Sequence, residues 1–170
     1  SYFFWKFIKP QSWYFNGCNA PAAAVYKDKI IVLGDPSGRG AVIETDRPDI
    51  GDWQTNYAVI NMPRGVQDPN LFVDDDNKVY LYEESSNKWP IHGIELDPDN
   101  YFIPIGEQTD LFNLEPEKHG WERFGQDHRS EIKPFIEGPW MVKHDGTYYL
   151  EYGAPGTQWN VYADGIYTSK

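Results

Sequence analysis

A chain of 170 residues is long enough to bury a sizeable core, and its 40% hydrophobic and 16% aromatic content excludes a disordered polymer and leans towards strands. A formal charge of −11 works against a nucleic-acid partner, since phosphate binding needs clustered Lys and Arg, and favours a neutral one. The single cysteine, Cys18, excludes a disulfide framework and any multi-cysteine metal site, and reads as a buried inert thiol.

Ser1 to Pro10 lack the charged start and cleavage pattern of a signal peptide, and no apolar run approaches the roughly 18 residues that span a bilayer. No membrane partner is expected. A secreted or periplasmic setting is the expectation, with any leader removed or lying upstream.

The first β-hairpin is predicted from Asn19-Ala20-Pro21, through the turn Lys27-Asp28-Lys29, into Ile30-Ile31-Val32-Leu33. A third strand follows at Ala41 to Thr45, after a loop from Asp35 to Gly40 whose Gly38-Arg39-Gly40 lacks a phosphate-loop pattern. The same plan returns at Gln67-Asp68-Pro69, with the polar turn Asp74 to Lys78, the strand Val79-Tyr80-Leu81-Tyr82 and a third strand at Gly93 to Leu96. A polar stretch, Thr109 to Lys133, is expected to be loop with one short helix. The third copy runs from Ile136-Glu137-Gly138-Pro139, through His144-Asp145-Gly146, into Thr147 to Tyr152, with a last strand at Gly165 to Thr168.

Three self-similar multi-strand units imply blades of a β-propeller. The fold class is all-β, with about three blades present, and the chain 1–170 is read as one partial propeller with repeats near 19–53, 67–105 and 136–170. Three blades do not close a ring, so the chain is expected to be incomplete. A β-sandwich with accidentally similar hairpins is the alternative.

In a propeller the innermost strands line a central funnel, which places Asn19, Asp68 and Glu137 around one rim. Two carboxylates from different blades converging on a funnel suit glycosidic bond hydrolysis, one protonating the leaving oxygen while another acts on water or on the sugar. Glu137 stands among Phe135, Ile136 and Trp140, and a neighbouring Asp68 charge would keep it protonated near neutral pH. The bland alternative is that Asp68 only starts a turn and Glu137 only ends a strand. The loops at the same mouth, Asp35 to Gly40, Glu83 to Pro90 and Ala154 to Ala163, carry Trp89, Trp159 and Tyr162, which suit stacking on sugar rings or ordinary packing. Asp74-Asp75-Asp76 lacks the ligand alternation of a calcium loop and reads as a turn, and His92, His119, His128 and His144 show no paired metal spacing.

Asp68-Pro69-Asn70-Leu71-Phe72-Val73-Asp74 and Ile136-Glu137-Gly138-Pro139-Trp140 resemble two motifs of glycoside hydrolase family 43, five-bladed propeller enzymes acting on arabinose-, xylose- and galactose-containing polysaccharides. The resemblance implies that Glu137 is the general acid, that Asp68 tunes it, and that Asn19-Ala20-Pro21 opens the second blade. It implies inversion at the anomeric centre, by an α-L-arabinofuranosidase or β-xylosidase type of enzyme on an oligosaccharide or polysaccharide substrate. Asn19, Trp89 and Trp159 are the candidate substrate-binding residues. No segment matches the first-blade motif that carries the family's general base, so the base is expected outside these residues and the fragment by itself inactive. No cofactor or metal is expected in this chain, although the resemblance implies a structural calcium in a complete propeller. A non-catalytic carbohydrate-binding propeller is the alternative function.

Overall fold

A computed structural model of the chain describes residues 19–35, 40–50, 52–60 and 62–170; Cys18, the first residues and Gly38-Arg39 lie outside them. Twelve strands among the described residues form three antiparallel four-stranded sheets. The first contains β1 (Asn19–Tyr26), β2 (Lys29–Asp35), β3 (Gly40–Arg47) and β4 (Asp52–Ile60), in sequence order. The second contains β5 (Asn70–Val73), β6 (Val79–Glu83), β8 (Ile91–Asp97) and β9 (Ile103–Phe112). The third is built on β10 (Ile136–His144), β11 (Thr147–Ala154) and β12 (Ala163–Ser169). Its fourth member, β7 (Ser85–Ser86), comes from the second repeat and pairs with the start of β10.

The three sheets are three blades of a β-propeller, each built on one of the predicted hairpins. Turn chemistry set the reversals: Asp145 and Gly146 take φ of 49° and 71°, as a two-residue hairpin turn requires, and Asn77 takes 64° in the second. Two boundaries are corrected. The first two repeats do not end near 53 and 105 but carry a fourth strand, running to Ile60 and Phe112. Thr109 to Phe112 are therefore strand, and the connecting segment begins at Asn113. It holds the expected short helical turn, a three-residue 3-10 helix at Gly120–Glu122.

The innermost strands share a second regularity. Ala20, Asp68 and Gly138, each immediately before a proline, have φ of 41°, 46° and 61°. Ladder register shifts between Asn19 and Ala22 in β1 and between Glu137 and Trp140 in β10, at the same place. A proline has no N–H for the ladder, so it is accommodated in a bulge, and a bulge turns the preceding side chain to a new direction. The structural register therefore aligns Asp68 with Ala20 and Gly138, while Glu137 aligns with Asn19 and Gln67.

Two cores hold the blades. Ile31, Leu33 and Val42 of the first blade pack with Leu71, Val79, Leu81 and Leu96 of the second in one apolar cluster. Between the second and third blades a smaller cluster of Ile91, Ile136, Leu150, Tyr152 and Ala154 is flanked by the rings of Phe112, Trp121 and Tyr167. Polar ties supplement it. Buried Asn70 accepts the Met141 N–H through Oδ1 at 3.0 Å, and Asp74 accepts from Lys143 Nζ and the Tyr148 hydroxyl, both at 2.6 Å. Burial alone would raise the Asp74 carboxyl, but those two hydrogen bonds outweigh it and hold it below its ordinary value. The acidic turn is thus an anchor between blades. No helix among the described residues is long and apolar enough to cross a membrane.

Candidate active site

Glu137 is the second residue of β10 and is held from both sides, opposite Gly153 of β11 and opposite Ser85 of β7. Its backbone is fixed before its side chain is considered. The carboxyl is half-buried, with the Ser85 hydroxyl 3.4 Å from Oε2 as donor. Burial raises its pKa first, the Asp68 charge raises it further, and the Ser85 hydrogen bond opposes both. A carboxyl desolvated beside a second carboxylate holds its proton to higher pH, which is what a general acid needs. The structure brings Asp68 to Glu137 from the adjacent blade, as expected, and does so through the left-handed residue before Pro69.

A recess of about 380 Å³ opens at Glu137, lined by Ser85, Phe135, Gly156, Thr157 and Gln158. Tyr162 lies over Gly153, the strand partner of Glu137. Any side chain at Gly153 would collide with the Tyr162 hydroxyl, so the glycine is what lets the ring lie across the strand beside Glu137. Burial, then the charges of Glu137, Asp164 and Asp68, push the Tyr162 phenol well above its usual range. It is a neutral hydroxyl facing the carboxylates.

The remaining candidates are distributed differently. Asn19 begins β1 opposite Asp35, but its side chain lies outside what is described. Trp89 is 48% exposed, and the Arg64 guanidinium lies 4.4 Å from its ring centroid. Arg64 is itself held by both Asp110 oxygens at 3.0 and 3.3 Å, and the Trp89 backbone N–H donates to Ser86 Oγ at 3.1 Å. Trp89 is thus a braced indole at the surface. Trp159 is half-buried, edge-on to Phe124 at 5.9 Å, with Nε1 buried and without a hydrogen-bond partner. The same Phe124 ring approaches Gly156, a residue that lines the recess.

Sequence reasoning placed Glu83 to Pro90 and Ala154 to Ala163 at the mouth but did not single out Ser85, Thr157, Gln158 or the role of Gly153; the third expected loop, Asp35 to Gly40, lies largely outside the described residues. The signal for Ser85 was weak, since a two-residue strand has no periodicity to read. Among the described residues no group of three His, Cys, Asp or Glu side chains is placed to hold a metal ion, so no step is routed through the calcium implied for a complete propeller.

The family Glycosyl hydrolases family 43 matches residues 13–170. Among solved structures, the chain is similar to a GH43_12 protein retrieved from a capybara gut metagenome, at 28% identity and TM-score 0.66, covering 90% of this chain and 28% of that one. It is similar to the xylan β-1,4-xylosidase from Bacillus halodurans C-125 at 19% identity and TM-score 0.64, again over 90% of this chain and 28% of that one. An α-L-arabinofuranosidase from Clostridium thermocellum matches at 20% identity and TM-score 0.57, over 89% and 46% of the two chains. The chain thus spans between about a quarter and a half of these relatives' lengths. No curated protein sequence matches it.

Proposed function

This chain belongs to glycosyl hydrolases family 43, and from that premise we propose that it carries the acid half of an inverting glycosidase site, of the α-L-arabinofuranosidase or β-xylosidase type. The observation that carries the reading is the convergence of Glu137 and Asp68 from neighbouring inner strands, with Asp68 raising the Glu137 carboxyl.

In this reading a neutral glycoside enters the recess with its leaving oxygen against Glu137. Glu137 gives its proton to that oxygen as the bond to the anomeric carbon breaks, and water attacks from the opposite face of the sugar, so the anomeric configuration inverts. Asp68 stays ionised, keeping Glu137 protonated in the resting site, and Ser85 orients the carboxyl. Tyr162 offers a neutral hydroxyl to the substrate, and Trp89 an aromatic face to a sugar beyond the cleaved bond. No described residue is assigned the base that activates water. An arabinose- or xylose-containing oligosaccharide or polysaccharide, met in a secreted or periplasmic setting, is the substrate class that fits a neutral, aromatic-flanked mouth.

The test is hydrolysis of chromogenic α-L-arabinofuranoside, β-D-xyloside and β-D-galactofuranoside by the full-length protein and by Glu137→Gln. Turnover of one substrate, lost in the variant, supports the reading. Binding of polysaccharide with no turnover of any substrate would replace it with a carbohydrate-binding propeller.

A further inference from the structure

Behind the site lies a buried ionisable cluster that the chemistry above does not use. Glu83, Glu84 and His92 are 1%, 4% and 1% exposed. Glu83 and His92 face each other across β6 and β8, with His92 Nε2 2.9 Å from Glu83 Oε1. His92 Nδ1 lies 3.2 Å from the Pro90 carbonyl oxygen and 3.6 Å from Glu84 Oε2. Both ring nitrogens face oxygen acceptors, so the doubly protonated ring is the form that satisfies both. Across β8 and β9, His92 is paired with Asp110, which is held by Arg64.

The rest of the cluster reaches the site in two directions. Glu83 Oε2 accepts the Gln67 N–H at 3.2 Å, and the Gln67 carbonyl accepts the Glu84 N–H at 3.1 Å. Both polar groups of the residue before Asp68 are therefore held by this pair of glutamates. Glu84 Oε1 accepts the Ser85 N–H at 3.1 Å, and Ser85 is the strand partner and side-chain donor of Glu137.

We propose that the Glu83–His92–Glu84 cluster is a positioning device that sets the spacing of the two site carboxylates, holding the backbone before Asp68 on one side and Ser85 against Glu137 on the other. It rests on the glycosidase reading only for its catalytic consequence; the spacing itself does not depend on that reading. Burying three ionisable side chains is costly, and a fold that needed only apolar filling here would not retain them. Burial raises the Glu83 carboxyl; it would lower His92, but the Glu83 hydrogen bond and charge outweigh it and raise His92 instead, so the pair favours retention of the proton it shares.

Two variants of the full-length protein test the device, read by the Glu137 side-chain titration in carbon-detected NMR and by the pH profile of kcat. Glu83→Leu removes the acceptor for Gln67, lets Asp68 move away from Glu137, and so lowers the Glu137 pKa. Its alkaline limb moves to lower pH and kcat falls about ten- to a hundredfold, as misplacement of a reacting group does, with KM changed less. Glu83→Gln keeps an acceptor for Gln67 and gives a donor to neutral His92, and restores both readouts to within about twofold of wild type. A folded Glu83→Leu with unmoved Glu137 titration overturns the inference. If Glu83→Leu does not fold, Glu83→Gln decides alone: a shifted Glu137 titration despite the retained hydrogen bond overturns it, and an unshifted one sustains it. Absence of hydrolysis by the full-length wild type defeats the glycosidase reading, while the NMR titration still decides this one.

Discussion

The two seams between blades are built from different materials. The first and second blades meet through an apolar cluster in which Leu33, Val42, Val79, Leu81 and Leu96 are fully buried. The second and third meet through fewer apolar contacts and a series of directional ties, Asn70 to Met141, Asp74 to Lys143 and Tyr148, and Ser85 to Glu137. Apolar burial stabilises in proportion to area and tolerates small slides; a hydrogen bond fails within a fraction of an ångström. The seam that must place two carboxylates is the directional one. Stability resides more in the first seam and geometry more in the second.

The largest effect is expected at the directional seam. Glu137→Gln removes the proton donor and lowers kcat about 10²- to 10⁴-fold. Because the Glu137 pKa is raised in the folded state, the folded chain binds its proton more tightly, and ionisation above 4.5 costs stability. Glu137→Gln is therefore at least as stable as wild type at pH 7, with the difference vanishing below about pH 4.5 in thermal melts. A destabilised variant would mean that the carboxyl is structural.

Leu81→Ala attacks the apolar seam and costs about 2–5 kcal/mol in denaturant unfolding, while the folded fraction keeps the wild-type pH profile. Asn70→Ala leaves the Met141 N–H without its acceptor and costs less, about 1–3 kcal/mol, yet alters the profile because Asp68 lies two residues away. If Leu81→Ala moved the profile and Asn70→Ala did not, the division between the seams would be wrong. The smallest effect is at the surface: Trp89→Ala raises KM for an oligosaccharide about two- to tenfold and leaves a chromogenic monosaccharide unchanged.

The hairpins were legible because each combined a residue–proline start, a polar turn and an aromatic or β-branched return strand, three signals that agree. The fourth strands were not. Ile103–Phe112 is mostly exposed, and its polar residues fall in one run, Glu107 to Asp110, after Gly106 at a φ of 76°, so it carries no clean alternation. The carboxylate pair was legible from the repeat, and its register lay unused in the proline spacing: Asp68 stands immediately before Pro69, whereas Asn19 and Glu137 stand two places before Pro21 and Pro139, the offset that the left-handed residue before each proline makes structural. The buried cluster had an unused signal. Alternation of Val79, Leu81 and Glu83 puts Glu83 on the core face of β6, where a carboxylate needs a partner, but strand pairing, which brings His92 opposite it, is not written in local alternation.

The most direct test of the carboxylate pair is the pH dependence of kcat for wild type and Asp68→Asn. Asn tolerates the left-handed backbone that Asp68 adopts, at a φ of 46°, so the substitution removes charge with little strain. Loss of the Asp68 charge lowers the Glu137 pKa, and the alkaline limb, where the acid loses its proton, moves to lower pH. A limb that stays in place, or moves to higher pH, would contradict the assignment of Asp68 as the residue that keeps Glu137 protonated.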